Sequence, residues 1–436
     1  VAAVAAGAAS AQGRWSPAGP TAAPWPSPLP LDGLTITRHL LDSLVRRALL
    51  QVRRGPNGPR YGMLDSLRDD ARQQCLAADE MASVQHAHHA HGLELARSIE
   101  ARIDGPEQLQ LLDLLERESA NLEAAMDWAE QQPDVDPALQ LAVAMCPWWK
   151  RRSRFAWGLR RLRPLLDRLP VGEGMVPATR ALQGRAFYWL GDFACRINLL
   201  PEAVSAARLS LEIHEALDDK LGQARAAAAL CMSASMGGDF ETAYPAGLRS
   251  LALYRELDDL QGLTIAANRL GELTRVQGLH DESVQHNRES LAFAERAGDP
   301  RGAHVALLNL GLLAVAQGRP GEGVPMLQRA GDGLQTFGER HQWPYVFQGV
   351  GQACQAVGRL ADAARLFGAL QAYSAATGLD LLGSDLQQHR QALDRLMTDD
   401  APADVRSAWQ AGLALDPEAG LALVRACRLD PGGTAL

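Results

Sequence analysis

The chain has 436 residues, of which 47% are hydrophobic and 22% are charged, a composition that is normal for a folded protein. Its formal net charge of −8 at pH 7 argues against a bulk attraction to nucleic acid or to anionic membranes. The cysteines are scattered without a CxxC pair, so the sequence predicts neither a disulfide framework nor a zinc site. No run of 18 apolar residues occurs, so it predicts no membrane span. We therefore expect a cytoplasmic protein with buried thiols.

The first two segments differ sharply in composition. Residues 1–33 are rich in alanine and proline, and we expect them to be disordered. In residues 34–80 a helical apolar pattern is followed by RRGPNGP, whose glycines and prolines enforce a turn between two short strands, and then by a second helix. The order helix, β-hairpin, helix is typical of the end of a winged helix. We interpret residues 34–80 as a partial winged-helix module.

The middle of the chain is helical, first irregularly and then with a strict period. Residues 81–180 carry apolar positions three and four apart without a clear register, which predicts a helical linker and irregular hairpins. In residues 181–376 two columns of mostly glycine recur every 40 residues. The first column reads Gly191, Cys231, Gly271, Gly311 and Gly351, and the second reads Asn198, Gly238, Gly278, Gly318 and Gly358.

A fixed period in this range predicts a solenoid of stacked helix pairs. The second column would end the first helix (helix A) of each pair in the left-handed conformation. The first column lies in mid-helix, where its recurrence implies that paired helices pack too closely for a side chain. Small residues twelve positions after the first column complete a spacing that resembles tetratricopeptide (TPR) repeats. The predicted fold is therefore an all-α, TPR-like α-solenoid with 40-residue repeats, closed by a helical cap over residues 377–436.

Four stretches in order carry a resemblance to a larger family. They are RYGMLDSLRDDARQQ, LERESANLEAAMDWA, PWWKRRSRFAWGLRRLRPLL and SAWQAGLALDPEAGLALVRA. Together they resemble the C-terminal portion of large bacterial STAND-type ATPase regulators, including LuxR-like ones, in which a nucleotide-binding module precedes a winged helix and a TPR-like sensor.

The resemblance implies a sensor arm that responds to a protein, a peptide or a small-molecule inducer and reports to a nucleotide-binding module. No GxxxxGK[ST] motif occurs in the sequence, so the nucleotide-binding module would lie upstream or on a separate ATPase subunit. No catalytic residue carries over, and GxSxG and HExxH are absent from the sequence. We therefore expect no enzymatic activity and no cofactor or metal. The alternative is a stand-alone TPR scaffold for protein–protein interaction.

The concave groove of the solenoid is the candidate binding site. Its arginines, amides and apolar residues suit an extended peptide or protein segment, although a solvated inner face without a ligand is the plainer alternative. On the 40-residue register the groove positions are Arg185, Tyr188, Asp192, Arg196, Arg225, Asn268, Glu272, Arg275, Tyr345, Gln348, Gln352 and Gln355, with Met236, Val305, Leu308 and Leu312 among them.

Three other clusters have both a functional and a plainer structural interpretation. Arginines and aromatic residues alternate in residues 148–163 and could hold single-stranded nucleic acid, but we favour core tryptophans with solvated arginines. The histidines of residues 86–91 could bind zinc, but without a third ligand motif we favour a surface helix. The arginines around the hairpin could contact DNA backbone, although the family's internal winged helix generally packs inside the protein.

Overall fold

The computed structural model describes residues 33–55, 58–103, 105, 107–170 and 175–429. The segment expected to be disordered, residues 1–33, lies outside them apart from Gly33. The described residues form nineteen helices, a 3₁₀ turn and one antiparallel hairpin, so the predicted all-α solenoid is confirmed. None of these helices combines the length and the apolar character that crossing a membrane requires.

The elements before the regular repeats are α1 (Gly33–Arg46), β1 (Gln51–Gly55), β2 (Gly58–Gly62), α2 (Asp65–Ala77), α3 (Met81–Glu100), α4 (Gln108–Glu130), α5 (Asp136–Arg151) and α6 (Phe155–Asp167). The repeats consist of α7 (Pro177–Arg196), α8 (Leu200–Ala216), α9 (Lys220–Met236), α10 (Phe240–Glu256), α11 (Leu260–Val276), α12 (His280–Ala297), α13 (Pro300–Ala316), α14 (Pro320–Thr336), the 3₁₀ turn Arg340–Gln342, α15 (Trp343–Ala356) and α16 (Leu360–Thr377). The chain ends with α17 (Gly383–Leu396), α18 (Ala403–Leu413) and α19 (Pro417–Ala426).

The chain folds into two compact units. One contains the described residues up to Ala101 together with Asp113–Ala144, and the other contains Arg102–Leu112 together with the described residues from Met145 onward. The boundaries at 80, 180 and 376 that the sequence suggests stay predictions.

In the first unit, helix, hairpin and helix follow one another as expected. The strands pair antiparallel with Val52 opposite Tyr61. Arg60 on β2 donates hydrogen bonds to Glu118 Oε1 and to the Arg117 carbonyl, both at 2.9 Å, and so ties the hairpin to α4. Whether this segment is a winged-helix remnant stays a prediction.

In the second unit, the 40-residue period is exact in the backbone. Helices α8, α10, α12, α14 and α16 begin 40 residues apart. Each is preceded by a left-handed residue of the second column, with φ of 62° at Asn198 and 76° to 78° at the four glycines. Left-handed residues also occur at the half-period, at Asp218, Asp258, Gly298, Gly338 and Gly378. These positions hold either aspartate or glycine. Because no single residue type recurs there, the sequence analysis did not identify them.

The first column marks close helix contacts. A Cβ atom on Gly311 would lie 3.1 Å from the Gly323 carbonyl oxygen and 2.8 Å from Leu327 Cγ. These distances leave no room for a side chain, which confirms the interpretation of this column.

Polar contacts repeat with the same period. Ser210, Ser250 and Ser290 are fully buried and donate to the carbonyl oxygens 26 residues earlier, at 2.8 to 2.9 Å. These bonds tie the second helix of each pair to the first. Asp259 caps α11 by accepting a hydrogen bond from the Gly262 amide at 2.9 Å, and Asp219 and Asp299 do the same one repeat away on either side.

The C-terminal helices pack against the last repeats. Helix α18 crosses α16 where Gly368 meets Gly412, because a Cβ on Gly368 would lie 2.5 Å from the Trp409 carbonyl oxygen. Leu421 and Val424 of α19 belong to the same buried cluster as Phe347 of α15. The stretch that leads into α17 turns instead toward helix A of earlier repeats, where Asp385 pairs with Arg275.

Candidate functional site

One pocket of about 720 Å³ lies on the concave side of the second unit. Residues from α7, α9, α11, α13 and α15, which are the first helices of five consecutive pairs, line it together. Its wall also includes the turn between α5 and α6, the start of α6, the turns that follow α7 and α9, the 3₁₀ turn and several residues of 377–387. The inner faces of the repeats therefore converge on one shared cavity, whose size suits a small organic ligand or a short peptide.

Three arginines line this pocket, and each holds a carboxylate. The Arg196 guanidinium lies 3.0 Å from Asp192 Oδ2, four residues earlier on the same helix. Arg269 donates to Glu272 Oε2 at 2.8 Å, three residues later on the same helix.

Arg275 differs from the other two because its partner is remote in sequence. It donates two parallel hydrogen bonds to Asp385, both at 2.8 Å, across 110 residues. Bidentate pairs of this kind are among the strongest ion pairs in proteins.

A second ionic cluster surrounds Glu339, which is 3% exposed. Glu339 accepts a hydrogen bond from Arg151, lies 3.7 Å from Arg301 Nη1 and lies 3.5 Å from His341 Nδ1. Burial alone would raise the pKa of Glu339, but the neighbouring cations, Arg151 foremost, outweigh it and lower that pKa to about 2. Burial lowers the pKa of His341 to about 3, so this ring is neutral at pH 7. The pair of Arg151 with Glu339 joins α5 to the turn before α15, across 188 residues.

The remaining wall combines apolar side chains with one unsatisfied amide. Met232, Met236, Leu308 and Leu312 line the pocket, and methionine adapts to differently shaped ligands. Asn309 also lines it and is 5% exposed, yet its Nδ2 atom has no hydrogen-bond partner among the described residues. A buried amide donor without a partner is costly.

The structure brings together four of the twelve groove residues named from the sequence. Arg196, Glu272, Arg275 and Tyr345 line the pocket. Asp192 lies just behind it, where it pairs with Arg196 and with Lys150 Nζ at 3.4 Å.

The other seven residues lie outside the pocket wall. Gln348 and Gln355 donate to the Asp385 and Ala392 carbonyl oxygens, at 3.2 and 3.4 Å, and so hold α17. Tyr188 packs edge-on against Trp189, with ring centroids 5.0 Å apart, and Asn268 is 7% exposed. Arg185 and Gln352 are half-buried, and Arg225 is exposed.

Sequence reasoning missed much of the pocket lining, including Arg269, Asn309, His341 and Asp385. The first two neighbour Asn268 and Leu308, which the sequence analysis did select, and a wider strip of helix A would have included them. Asp385 carries no periodic signal, because the chain outside the repeats delivers it.

The alternative sites are buried only in part, since Trp157 is half-buried and Arg53 and Arg54 of the hairpin are exposed. Trp148, Trp149 and Phe155 are at most 3% exposed, so they are core residues and cannot stack on bases. His89 bonds the Pro137 carbonyl oxygen at 3.0 Å and packs on Trp128. Within the described ranges, no group of three or more histidine, cysteine or acidic side chains is arranged to hold a metal ion.

No protein-family model matches this sequence, and no significant match was found among the curated proteins. Among solved structures, the chain is similar to a STAND protein with a tetratricopeptide repeat sensor from Pyrococcus horikoshii, at 15% identity and a TM-score of 0.45, over 88% of this chain and 60% of that one. A Rap protein complexed with competence and sporulation factor matches at 12% identity and a TM-score of 0.46, over 75% of this chain and 97% of that one. BtubC from P. vanneervenii matches at 19% identity and a TM-score of 0.40, over 51% of this chain and 91% of that one. These likenesses are remote, and they assign the chain to no family.

Proposed function

We propose that this chain is the ligand-sensing arm of a STAND-type signal-transduction and transcription regulator, with a short peptide or a small molecule as the signal bound in the concave pocket. The nucleotide-binding module would be supplied upstream or by a separate subunit. The function proposed is binding, with no reaction catalysed by this chain.

The single observation that carries this proposal is the shared construction of the pocket. Five helix pairs and the C-terminal stretch each contribute part of one wall. A ligand that contacts all of them would favour one spacing of the repeats over others. A sensor needs such a difference in affinity between two arrangements.

The chemistry of the wall supports a peptide-like signal. Guanidinium groups and the Asn309 amide are donors for carboxylate and carbonyl oxygens, and Glu272 is an acceptor for N–H groups. Met236, Leu308 and Leu312 offer apolar surface for one or two side chains. An extended peptide presents these three kinds of group together.

A pocket-filling substitution tests the proposal on the full chain. The probe is a mixture of random pentapeptides with free termini, and bound species are read by native mass spectrometry. We expect pentapeptides to bind the unmodified chain and the control Leu248→Trp, whose site on α10 is 43% exposed. Binding should fall at least tenfold in Leu312→Trp, because the indole would occupy the cavity. Undiminished binding to Leu312→Trp would refute the pocket as the sensing site and would favour a stand-alone scaffold that binds through other surfaces.

A further inference from the structure

We propose that the pocket recognises a carboxylate of its ligand through Arg275, in the place that Asp385 fills in this structure. This inference rests on the proposed sensing function and names the chemical class of the signal. In the structure described here, the Asp385 carboxylate occupies the position that we propose for the carboxylate of the ligand.

Arg275 keeps its positive charge in every state of the protein. A guanidinium does not lose its proton in proteins, and the Arg275 side chain is only 13% exposed. Without Asp385, this buried charge would keep only the nearby Glu272, which also pairs with Arg269, and that is unfavourable. An anion in the place of Asp385 is therefore favoured for as long as Arg275 stays buried.

The source of that anion sets Arg275 apart. Arg196 and Arg269 hold carboxylates of their own helices, which stay beside them when other segments of the chain move. Asp385 comes from the first turn of α17, outside the repeats. Gly383, with a φ of 55°, lies just before it, at the point where non-helical chain enters the helix. Of these three pairs, only that of Arg275 can be exchanged by moving a segment.

The unsatisfied groups around this pair point to the same ligand. Arg275 Nε and Asn309 Nδ2 are buried and lack a partner among the described residues, and both side chains line the pocket. Both atoms are donors that solvent does not reach while Asp385 is in place. A ligand that displaces the Asp385 segment meets donors, to which the oxygens of a carboxylate at the end of a peptide or in a dicarboxylic acid are suited.

The test uses Asp385→Asn and succinate on the full chain. In sodium chloride this variant should melt several degrees below the unmodified chain, because Arg275 loses its anion. Succinate at equal ionic strength should restore the Tm, with an apparent Kd at least tenfold lower than for the unmodified chain. Arg275→Leu combined with Asp385→Asn should abolish the response. The matched control is Asp404→Asn, which changes an exposed acid in the first turn of α18.

Further measurements keep the proposal falsifiable should Asp385→Asn fold poorly. In the unmodified chain, saturating succinate should speed hydrogen exchange in residues 379–387, because the ligand displaces that segment. Unchanged exchange, or a succinate response no greater in Asp385→Asn than in Asp404→Asn, would overturn the inference. A response to inorganic phosphate as strong as that to succinate would show a general oxyanion site and overturn the carboxylate assignment. Pentapeptides without acidic side chains that bind the pocket equally well with a free or an amidated C-terminus would sink this inference while leaving the sensing function intact.

A second inference rests on a different observation, a pair of thiols at the C-terminal end of the fold. Cys354 Sγ of α15 lies 3.5 Å from Cys427 Sγ, which directly follows α19. Gln328 fixes this end of the chain by donating to the Cys427 carbonyl oxygen at 2.7 Å. A movement of about 1.5 Å would bring the sulfurs to the bonding distance of about 2.05 Å. We infer that Cys354 and Cys427 form a disulfide when the protein meets a peroxide.

The reaction balances with hydrogen peroxide as the oxidant. Cys427 is 7% exposed and Cys354 is fully buried, so Cys427 meets the peroxide first. A hydrogen bond with Cys354 lowers the pKa of Cys427, which favours its thiolate. Attack of this thiolate on the O–O bond gives a sulfenic acid and, after protonation, water. The Cys354 sulfur then displaces the hydroxyl group as a second water, which takes up the Cys354 proton.

Intact mass and peptide mapping test this inference on the full chain. Hydrogen peroxide should remove two hydrogen atoms from the protein and link the peptides of Cys354 and Cys427. A thiol reductant should reverse the change, and Cys427→Ser should abolish it. Cys195 and Cys231 serve as internal controls, because burial raises the pKa of each to about 12. A link between other cysteines, or sulfinic acid on Cys427 without a link to Cys354, would overturn the inference.

Discussion

Replacing Glu339 with glutamine tests whether a buried charge cluster stabilises the contact between the end of α5 and the turn before α15. The pKa of Glu339 falls from the ordinary 4.5 to about 2 in the folded state. At 1.36 kcal/mol per pKa unit, this lowering corresponds to about 3 kcal/mol of stability at pH 7. Glutamine would keep the size of the side chain but remove the negative charge beside Arg151, whose side chain is 6% exposed. We expect a loss of about 3 kcal/mol in the free energy of unfolding.

The pH dependence gives the prediction a second, independent check. The folded-state pKa lies below the unfolded value, so the stabilisation is complete above pH 4.5 and disappears as the pH falls toward 2. The guanidinium groups of Arg151, Arg196 and Arg301 keep their charge throughout, and His341 becomes charged only near pH 3. The difference between the variant and the unmodified chain should therefore shrink steadily below pH 4.5.

Urea unfolding followed by tryptophan fluorescence at pH 7, 4.5 and 3 measures both effects. The control is Glu322→Gln, because Glu322 pairs with Arg319 on the surface, where both side chains are about half exposed. Such a pair contributes about 0 to 1 kcal/mol. Equal losses for the two variants at pH 7, or a Glu339→Gln loss that does not change with pH, would refute the reasoning.

The repeat geometry yields three further predictions, each measured by urea unfolding. Gly278→Ala should cost about 1 kcal/mol, because φ is 78° and open space surrounds the missing Cβ, so only backbone strain acts; no loss would contradict the left-handed turn. Ser290→Ala should cost about 1 kcal/mol by removing its buried hydrogen bond to the Thr264 carbonyl oxygen, and an unchanged stability would show that this contact is dispensable. Asp259→Ala should cost about 1 kcal/mol by uncapping α11 at the Gly262 amide, whereas Asp259→Asn should lose much less.

The repeats could be predicted because each of their requirements is local. A left-handed turn favours glycine, asparagine or aspartate at one position, and a close helix crossing needs a small residue at another. Gly278 and Gly311 meet these two needs within their own hairpins. The same requirement returns every 40 residues, so the period in the sequence and the period in the backbone coincide.

The pocket could be predicted only in part. Arg196, Glu272 and Arg275 were found because the register places them on the inner face of helix A. Gln348 was selected on the same ground, but the structure shows it holding the Asp385 backbone. A register specifies which face a residue occupies, and it carries no information about what the rest of the chain brings to that face.

What the sequence by itself determined is the stacking of helix pairs and the face that each helix A presents, because both follow from contacts between near neighbours in the chain. Only the tertiary structure decided that Glu339 meets Arg151 and that Asp385 meets Arg275, across 188 and 110 residues. These two ion pairs depend on how several successive repeats stack. The second also depends on the C-terminal stretch, which packs back against the groove. A charge on one helix is compatible with many distant partners, and only the complete fold selects one.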